Sequence, residues 1–328
     1  MLKFILLANI ASSVIAYASP FHNWHCIDIM KNIDLSKPYA YNVADLPLVS
    51  WFDKEPKTTL NICKHMGSKL DYGKVENGCL TCPFHGIRHT DKDVFGQTII
   101  HEDKLWWSYE PKQKLPPSTP FYHNENYSTI MFDMVMDANI KDCIYNVFDI
   151  NHFAFVHNDI FGNDEEPTDY KYTHKDDKLC ISYTYKPNEN IAKFKKGLDR
   201  FYNYQVLDYP YSSSSVFSLR NSEKIVINVN MLPIAADKTK WIITIKHNFW
   251  KSYIDQMKVK ILIKYILMQD KEQMAKQARD SMLKHSCIHK VSLKNENHFK
   301  ELNKMFKSYR YPDTIEVMKL YQKHTNCS

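Results

Sequence analysis

Glycine is scarce in this chain, with 7 residues in 328, and no run of basic residues is dense enough to form a phosphate-binding patch. The formal charge of +6 at pH 7 is spread over a lysine-rich, arginine-poor sequence. That excludes nucleic acid as a partner and leaves at most a preference for an acidic protein. No arginine precedes Arg88, so the start of the chain is not an arginine-rich transit peptide. Its apolar run, from Phe4 to Ala18 within "MLKFILLANIASSVIAYASP", is too short for a comfortable membrane span. Internal repeats and low-complexity tracts are also lacking, which excludes arrays and disordered spacers.

What is present suits two domains. With 44% hydrophobic residues the chain can bury a sizeable core, and its length exceeds that of a typical single domain. Segment 1–21 carries one lysine, the apolar run and then Ala16-Tyr17-Ala18 before Ser19 and Pro20, the pattern of a secretory signal. A cleaved signal, a short anchor touching a membrane and a segment docked on the fold all stay open. Eight cysteines in a chain of this length do not make a disulfide framework. Three of them sit beside histidines, which favours metal ligation in an intracellular reducing compartment, cytoplasm or organelle.

Between residues 22 and 115 short strand-like runs dominate, "YAYNV", "LPLVSWF" and "TTLNIC", with the turn-forming "DKEPK" between the last two. The proline-rich "PKQKLPPSTP", Pro111 to Pro120, can continue neither a helix nor a central strand and reads as a linker. Region 121–328 opens with the strand-like "STIMFDMVMDA" and passes into the helix-like "NIKDCIYNVFDINHFAFVH". Strands then follow at "DYKYTHK", "KLCISYTY", "KIVINVNML" and "TKWIITIKHNFW", before a helical pattern from about Ser252 to Lys284. Strands grouped apart from helices predict an α+β second domain.

The stretch "CKHMGSKLDYGKVENGCLTCPFHG" packs three cysteines, two histidines and four of the glycines between Cys63 and Gly86. Cys63-x-His65, sixteen residues, then Cys82-x-x-His85 is the ligand set of a Rieske-type [2Fe-2S] cluster, with the cysteines on one iron and the histidines on the other. Two neutral imidazoles in place of thiolates remove negative charge and raise the potential. Gly67 and Gly86 follow the histidines, where each loop must bend and bring amides near sulfur. Zinc on Cys63, His65, Cys79 and Cys82 is the alternative. It leaves His85 and the Pro83-Phe84-His85-Gly86 turn unexplained, whereas the cluster leaves only Cys79 spare, as a core residue.

A second constellation is Asn146-x-x-Asp149-x-x-His152-x4-His157. On a regular helix the two histidines would point about 140° apart, so they share a metal only if the helix ends or distorts. Asp149, one turn before His152, is placed to hold its second ring nitrogen. On the late helix, within "LMQDKEQMAKQ", Asp270 would complete a two-histidine, one-carboxylate triad with positions open for oxygen on ferrous iron. Asp255, Glu272 and Asp280 lie close by, and by itself Asp270 reads equally as a solvated helix-face residue.

Two metal motifs in this order, an aromatic start at "NWHCIDI" and a Gln-Asp pair on the late helix together resemble the Rieske non-heme iron oxygenases, catalytic α-subunit type. The resemblance runs from about Trp24 onward. The step from Asn146 to Asp149 is most similar to the vanillate demethylase, ketosteroid 9-alpha-hydroxylase and pheophorbide a oxygenase branches. It implies an α+β chain, a Rieske β-sandwich followed by a helix-grip domain, an antiparallel sheet around a long helix. It also implies a cluster on Cys63, His65, Cys82 and His85, a mononuclear iron on His152, His157 and Asp270, and catalytic roles for Asn146 and Asp149, the latter relaying electrons between the two sites.

The implied reaction is hydroxylation or demethylation of a small, apolar, ring-containing substrate with O2. Electrons come ultimately from NAD(P)H through a ferredoxin or flavin reductase, and the implied assembly is a homotrimer. The alternative is a Rieske-type electron-transfer protein without a working mononuclear site. The tract "FYNYQVLDYPYSSSSVF" suits a pocket for a flat apolar molecule, or a plain core. Two departures stand out, Met66 where the family commonly has arginine and Ile87 where it commonly has tryptophan. Both predict an altered docking edge. Ser68 and Phe84 stand near the places where respiratory Rieske proteins carry an extra cysteine pair.

Overall fold

The computed structural model describes residues 20–161, 166–188, 198–220, 222–277, 293–307, 309, 311–312 and 314–325. All three readings of the apolar start therefore fall, up to residue 19, outside the described residues. The N-terminal part is made of three small antiparallel sheets. The first has the order β1 (His25–Ile29), β9 (Lys104–Ser108), β8 (Gln97–His101). The second is β2 (Tyr39–Val43), β3 (Leu46–Phe52), β4 (Pro56–Leu60). The third, β5 (Lys74–Glu76), β6 (Cys79–Thr81), β7 (Arg88–His89), carries the cysteine and histidine loops.

The second part is one seven-stranded antiparallel sheet. After β10 (Ser128–Met136), the strands β11 (Thr168–Lys175), β12 (Lys178–Tyr185), β13 (Phe201–Asp208), β14 (Ser212–Ser218), β15 (Lys224–Ala235) and β16 (Lys238–His247) run as a meander, and β10 pairs back onto β16. β12 and β13 alternate buried and solvent-facing residues along their length, the period of a strand covered on one face. β15 and β16 are buried almost continuously because both faces are covered. One face packs helix residues Ile144, Phe148, Ile263 and Leu267 against Met231, Ile243 and Ile245. From the other, Met131, Leu232 and Ile242 join the N-terminal core around Trp24, Trp106 and Trp107.

Three expectations change. The tract from Phe201 to Phe217 forms two adjacent strands, β13 and β14; four consecutive serines hid the second, and from β15 the Asn228 amide donates to the Ser212 hydroxyl, the Ser213 carbonyl and the Ser214 hydroxyl. The helix-like stretch through His157 is two helices, α1 (Ile140–Phe148) and α2 (Phe153–Val156), with a turn between. The late helix α3 (Tyr253–Lys276) ends at Gln277, whose backbone is extended; its expected continuation to Lys284 lies, from 278 on, outside the described residues. Among the described residues two further helices follow, α4 (His298–Lys307) and α5 (Thr314–Thr325).

Candidate metal centres

The two cysteine and histidine loops close in the same way. Cys63 N–H donates to the Ser68 carbonyl at 2.8 Å and Gly67 N–H to the Cys63 carbonyl at 2.9 Å; Cys82 N–H donates to the Ile87 carbonyl at 2.8 Å and Gly86 N–H to the Cys82 carbonyl at 3.1 Å. Gly67 and Gly86 carry φ of +73° and +69°, a conformation that costs a side-chain-bearing residue. This curl aims the amides of His65 and Met66 at the Cys63 sulfur and those of Phe84 and His85 at the Cys82 sulfur. Burial keeps the Cys63 thiol above its ordinary pKa, and against the same effect the Phe84 and His85 amides draw the Cys82 thiol down.

Both cysteines are buried, whereas both histidines reach the surface. His65 Nδ1 and His85 Nδ1 stand 3.2 Å apart; the adjoining residues Met66 and Phe84 are 66% and 61% exposed. A pair of buried thiols and a pair of facing imidazole nitrogens is the donor set a [2Fe-2S] cluster of the Rieske kind takes. Cys79 is not a core residue as expected: it is half-buried on β6 and its sulfur accepts from Arg88 at 3.3 Å. Among the described residues the one group of three or more potential ligands that converges on a single-ion point lies elsewhere. The zinc alternative at Cys63, His65, Cys79 and Cys82 thus has no support in the geometry.

That group is His152, His157 and Asp270, with ligand atoms all within 4.8 Å of one another. The early end of α2 creates it. Asp149 caps α1 in extended conformation, His152 then opens the one-turn α2 with a helical backbone, and His157 leaves it with an irregular one, so two side chains that a straight helix would part bring their Nε2 atoms to 3.1 Å. Asp270 Oδ1 lies 3.4 Å from His152 Nε2 and 3.3 Å from His157 Nε2. Donors about 2.1 Å from one metal and at right angles stand about 3.0 Å apart, so the spacing fits a single ion.

α3 supplies Asp270 from its buried stripe. Val259, Ile263, Leu267, Asp270 and Met274 share one face, and a carboxylate on an otherwise apolar stripe is the sequence signal that separates it from exposed Glu272 and from Asp255 in the first turn of α3, where Asp255 N–H donates to the N-cap Ser252. Burial alone would raise its pKa, but hydrogen bonds with His152 and His157 hold it well below the usual carboxylate range. Burial pushes His152 down, and Asp270 reverses that into a net rise.

The surrounding groups fix orientations. His157 Nδ1 lies 2.9 Å from the Gln269 carbonyl oxygen, which can only accept, so Nδ1 carries the hydrogen and Nε2 presents its lone pair. The Gln269 amide donates to Asp159 at 2.9 Å, and Tyr265 donates to the same carboxylate at 2.6 Å. Sequence reasoning missed Asp159 and Tyr265, which lie far apart in the chain. Asn146 donates to Asp270 Oδ1 at 3.3 Å. Asp149 differs from expectation: its Oδ1 accepts from the amides of Asn151 and His152 at 2.9 and 3.3 Å, because a carboxylate at a helix end is claimed by the turn. Its Oδ2 stays 3.9 Å from His152 Nδ1, beyond hydrogen-bond range.

The triad forms one wall of a cavity of about 180 Å³. Phe153, Phe161, Phe201, Phe217 and Trp250 are among its apolar lining, and Asn146, Ser213 and Ser215 are polar.

Comparison with known proteins matches residues 23–98 to the Rieske [2Fe-2S] domain and residues 136–298 to the vanillate O-demethylase oxygenase C-terminal domain. The chain is 25% identical over 162 residues to an oxygenase component of 3-ketosteroid-9-alpha-monooxygenase from Rhodococcus rhodochrous, a match that covers 41% of this chain and 42% of that one. With the oxygenase component of dicamba O-demethylase from Stenotrophomonas maltophilia it shares 26% over 145 residues, covering 37% and 43%. These matches thus span less than half of the length of either curated relative. The fold superposes on a crystal structure of dicamba monooxygenase bound to dicamba with a TM-score of 0.75 at 15% identity, over 94% of this chain and all of the other.

Proposed function

Since the chain belongs to the Rieske oxygenases by both of its domains, we propose that it is the oxygenase component of a system that hydroxylates or demethylates an apolar, ring-containing substrate. The observation that carries this reading is the convergence of His152, His157 and Asp270 on an otherwise apolar cavity. When bound, the cluster supplies electrons singly and the ferrous iron activates dioxygen. Cys63, Cys82, His65 and His85 hold the first, and His152, His157 and Asp270 the second.

The remaining residues prepare the site. Gln269 sets the tautomer of His157, and Asn146 steadies the Asp270 oxygen that faces both histidines. Asp149 ties the turn that aims His152 and keeps a carboxylate behind that ring, the position of the relay that the resemblance implies. Phe153, Phe161, Phe201 and Phe217 exclude water and offer flat faces to a ring. The exposed edge of His65, Met66, Phe84 and His85 is where a ferredoxin or flavin reductase, or the next subunit of a homotrimer, would dock. A reducing intracellular compartment, cytoplasm or organelle, fits a chain whose Cys63 and Cys82 must stay thiolates to hold a cluster.

The assembled triad favours an oxygenase over a pure electron carrier. Substrate-dependent oxygen uptake by the reduced protein, screened over aromatic, sterol and tetrapyrrole compounds, tests the reading. Asp149→Ala is expected to keep its iron and cluster and to turn over many-fold more slowly. Uptake absent from wild type for every class, with both sites loaded, would contradict the oxygenase assignment.

A further inference from the structure

Two hydroxyls on the cavity wall, those of Ser213 and Ser215, differ in how far the protein itself uses them. The Val147 carbonyl can only accept, so the nitrogen of the Gln205 amide must face it, at 2.9 Å, and that nitrogen's other hydrogen goes to Ser213 Oγ at 3.3 Å. Ser213 is therefore an acceptor toward the protein. No described hydrogen bond takes its hydroxyl hydrogen, and the side chain, 1% exposed, lines the cavity. Ser215 lies two residues along the same strand, on the same face, and lines the cavity too.

Charge narrows the occupant further. Among the described residues the lining includes no lysine or arginine; its only ionisable groups are His152, His157 and Asp270. Away from the triad an anionic group would meet apolar walls with no cation to pair with, a strongly disfavoured burial. A neutral molecule that offers an acceptor oxygen would instead complete the bonding of Ser213.

On the reading of this cavity as the substrate pocket, we infer that the substrate is an uncharged, largely apolar molecule with one acceptor oxygen (ether, carbonyl or hydroxyl) held by the Ser213 hydroxyl with Ser215 beside it. Ser213 is then a specificity-determining residue. By fixing one end of the molecule, it decides which carbon lies against the triad.

Equilibrium dialysis of the isolated holoprotein, without reductant, tests this with three probes of similar size. They are 2-methoxynaphthalene, neutral with an acceptor; 2-ethylnaphthalene, neutral without one; and 2-naphthoate, an anion. The expected order is 2-methoxynaphthalene tightest, about 5-fold over the ethyl probe from one hydrogen bond and at least about 10-fold over the naphthoate. Ser213→Ala should bring the methoxy and ethyl probes to near-equal affinity, with the ethyl probe unchanged. Equal or tighter naphthoate binding, no methoxy preference in wild type, a preference that survives Ser213→Ala, or no binding of any probe would overturn the inference. The wild-type comparison stands even if the variant fails to fold. Because nothing turns over, the result is independent of oxygen uptake, so a failure here and a failure of the oxygenase reading are told apart.

Discussion

One amide decides which nitrogen of His157 faces Asp270. Gln269 does so with its carbonyl oxygen, and Asp159 and Tyr265 stop the amide from turning over. Gln269→Leu keeps the bulk and removes the acceptor. Iron retention in the mononuclear site, measured by competition with a chelator, is expected to fall about 10- to 100-fold, with the cluster's visible absorption unchanged. Equal retention would show that the ring is oriented by packing alone. At this scale much was legible: the spacing of Cys63, His65, Cys82 and His85, and of Asn146, Asp149, His152 and His157, is chemistry written in sequence. The Gln205 and Ser213 pair was not, because it exists only through the pairing of β13 with β14, and Asp159 meets Tyr265 only once α3 docks.

Among elements, the break between α1 and α2 matters most, and His298 of α4 braces it. Its Nε2–H donates to the carbonyl of Phe148, the last residue of α1, at 2.8 Å, while Tyr170 donates to its Nδ1 at 2.7 Å. Both bonds need the neutral ring, and burial, the dominant influence, pushes its pKa down from 6.5 to about 4. The unfolded chain therefore binds this proton more readily. Its contribution is full above pH 6.5 and is lost as pH falls from there toward 4, roughly 2–3 kcal/mol between pH 7 and 4.5. Urea unfolding at the two pH values should show a drop that is smaller by about that amount in His298→Gln. An equal drop in both proteins would remove His298 from the acid response. The sequence required an end or distortion only through the pairing of His152 with His157; where the chain turns is set locally by the Asp149 carboxylate and braced by His298, 150 residues from Phe148.

In the whole molecule, the N-terminal part is joined to the large sheet through buried polar groups as well as apolar ones. Asp28 of β1, 4% exposed, pairs with Lys240 of β16 and accepts from Tyr39 of β2. Burial would raise its pKa, yet Lys240 and Tyr39 bring it below the ordinary value. Lys240→Met strands a buried carboxylate and is expected to cost about 3–5 kcal/mol in denaturant unfolding, much of it recovered by adding Asp28→Asn. A change below about 1 kcal/mol would mean that the pair is solvated. Five of the seven strands of the large sheet, β10, β11, β12, β15 and β16, were readable as local runs, whereas β13 and β14, the return of β10 to β16 and the stacking of one part on the other depend on long-range pairing that no local pattern encodes.

The central claim is that one chain holds a [2Fe-2S] cluster and, separately, a mononuclear iron on His152, His157 and Asp270. Iron and acid-labile sulfide, determined on the purified holoprotein and on Asp270→Ala, test it most directly. The account predicts iron to sulfide of about three to two in wild type, falling to about one to one in Asp270→Ala with cluster absorption retained. A ratio near one in the wild type, an unchanged ratio in the variant, or zinc without sulfide would contradict it.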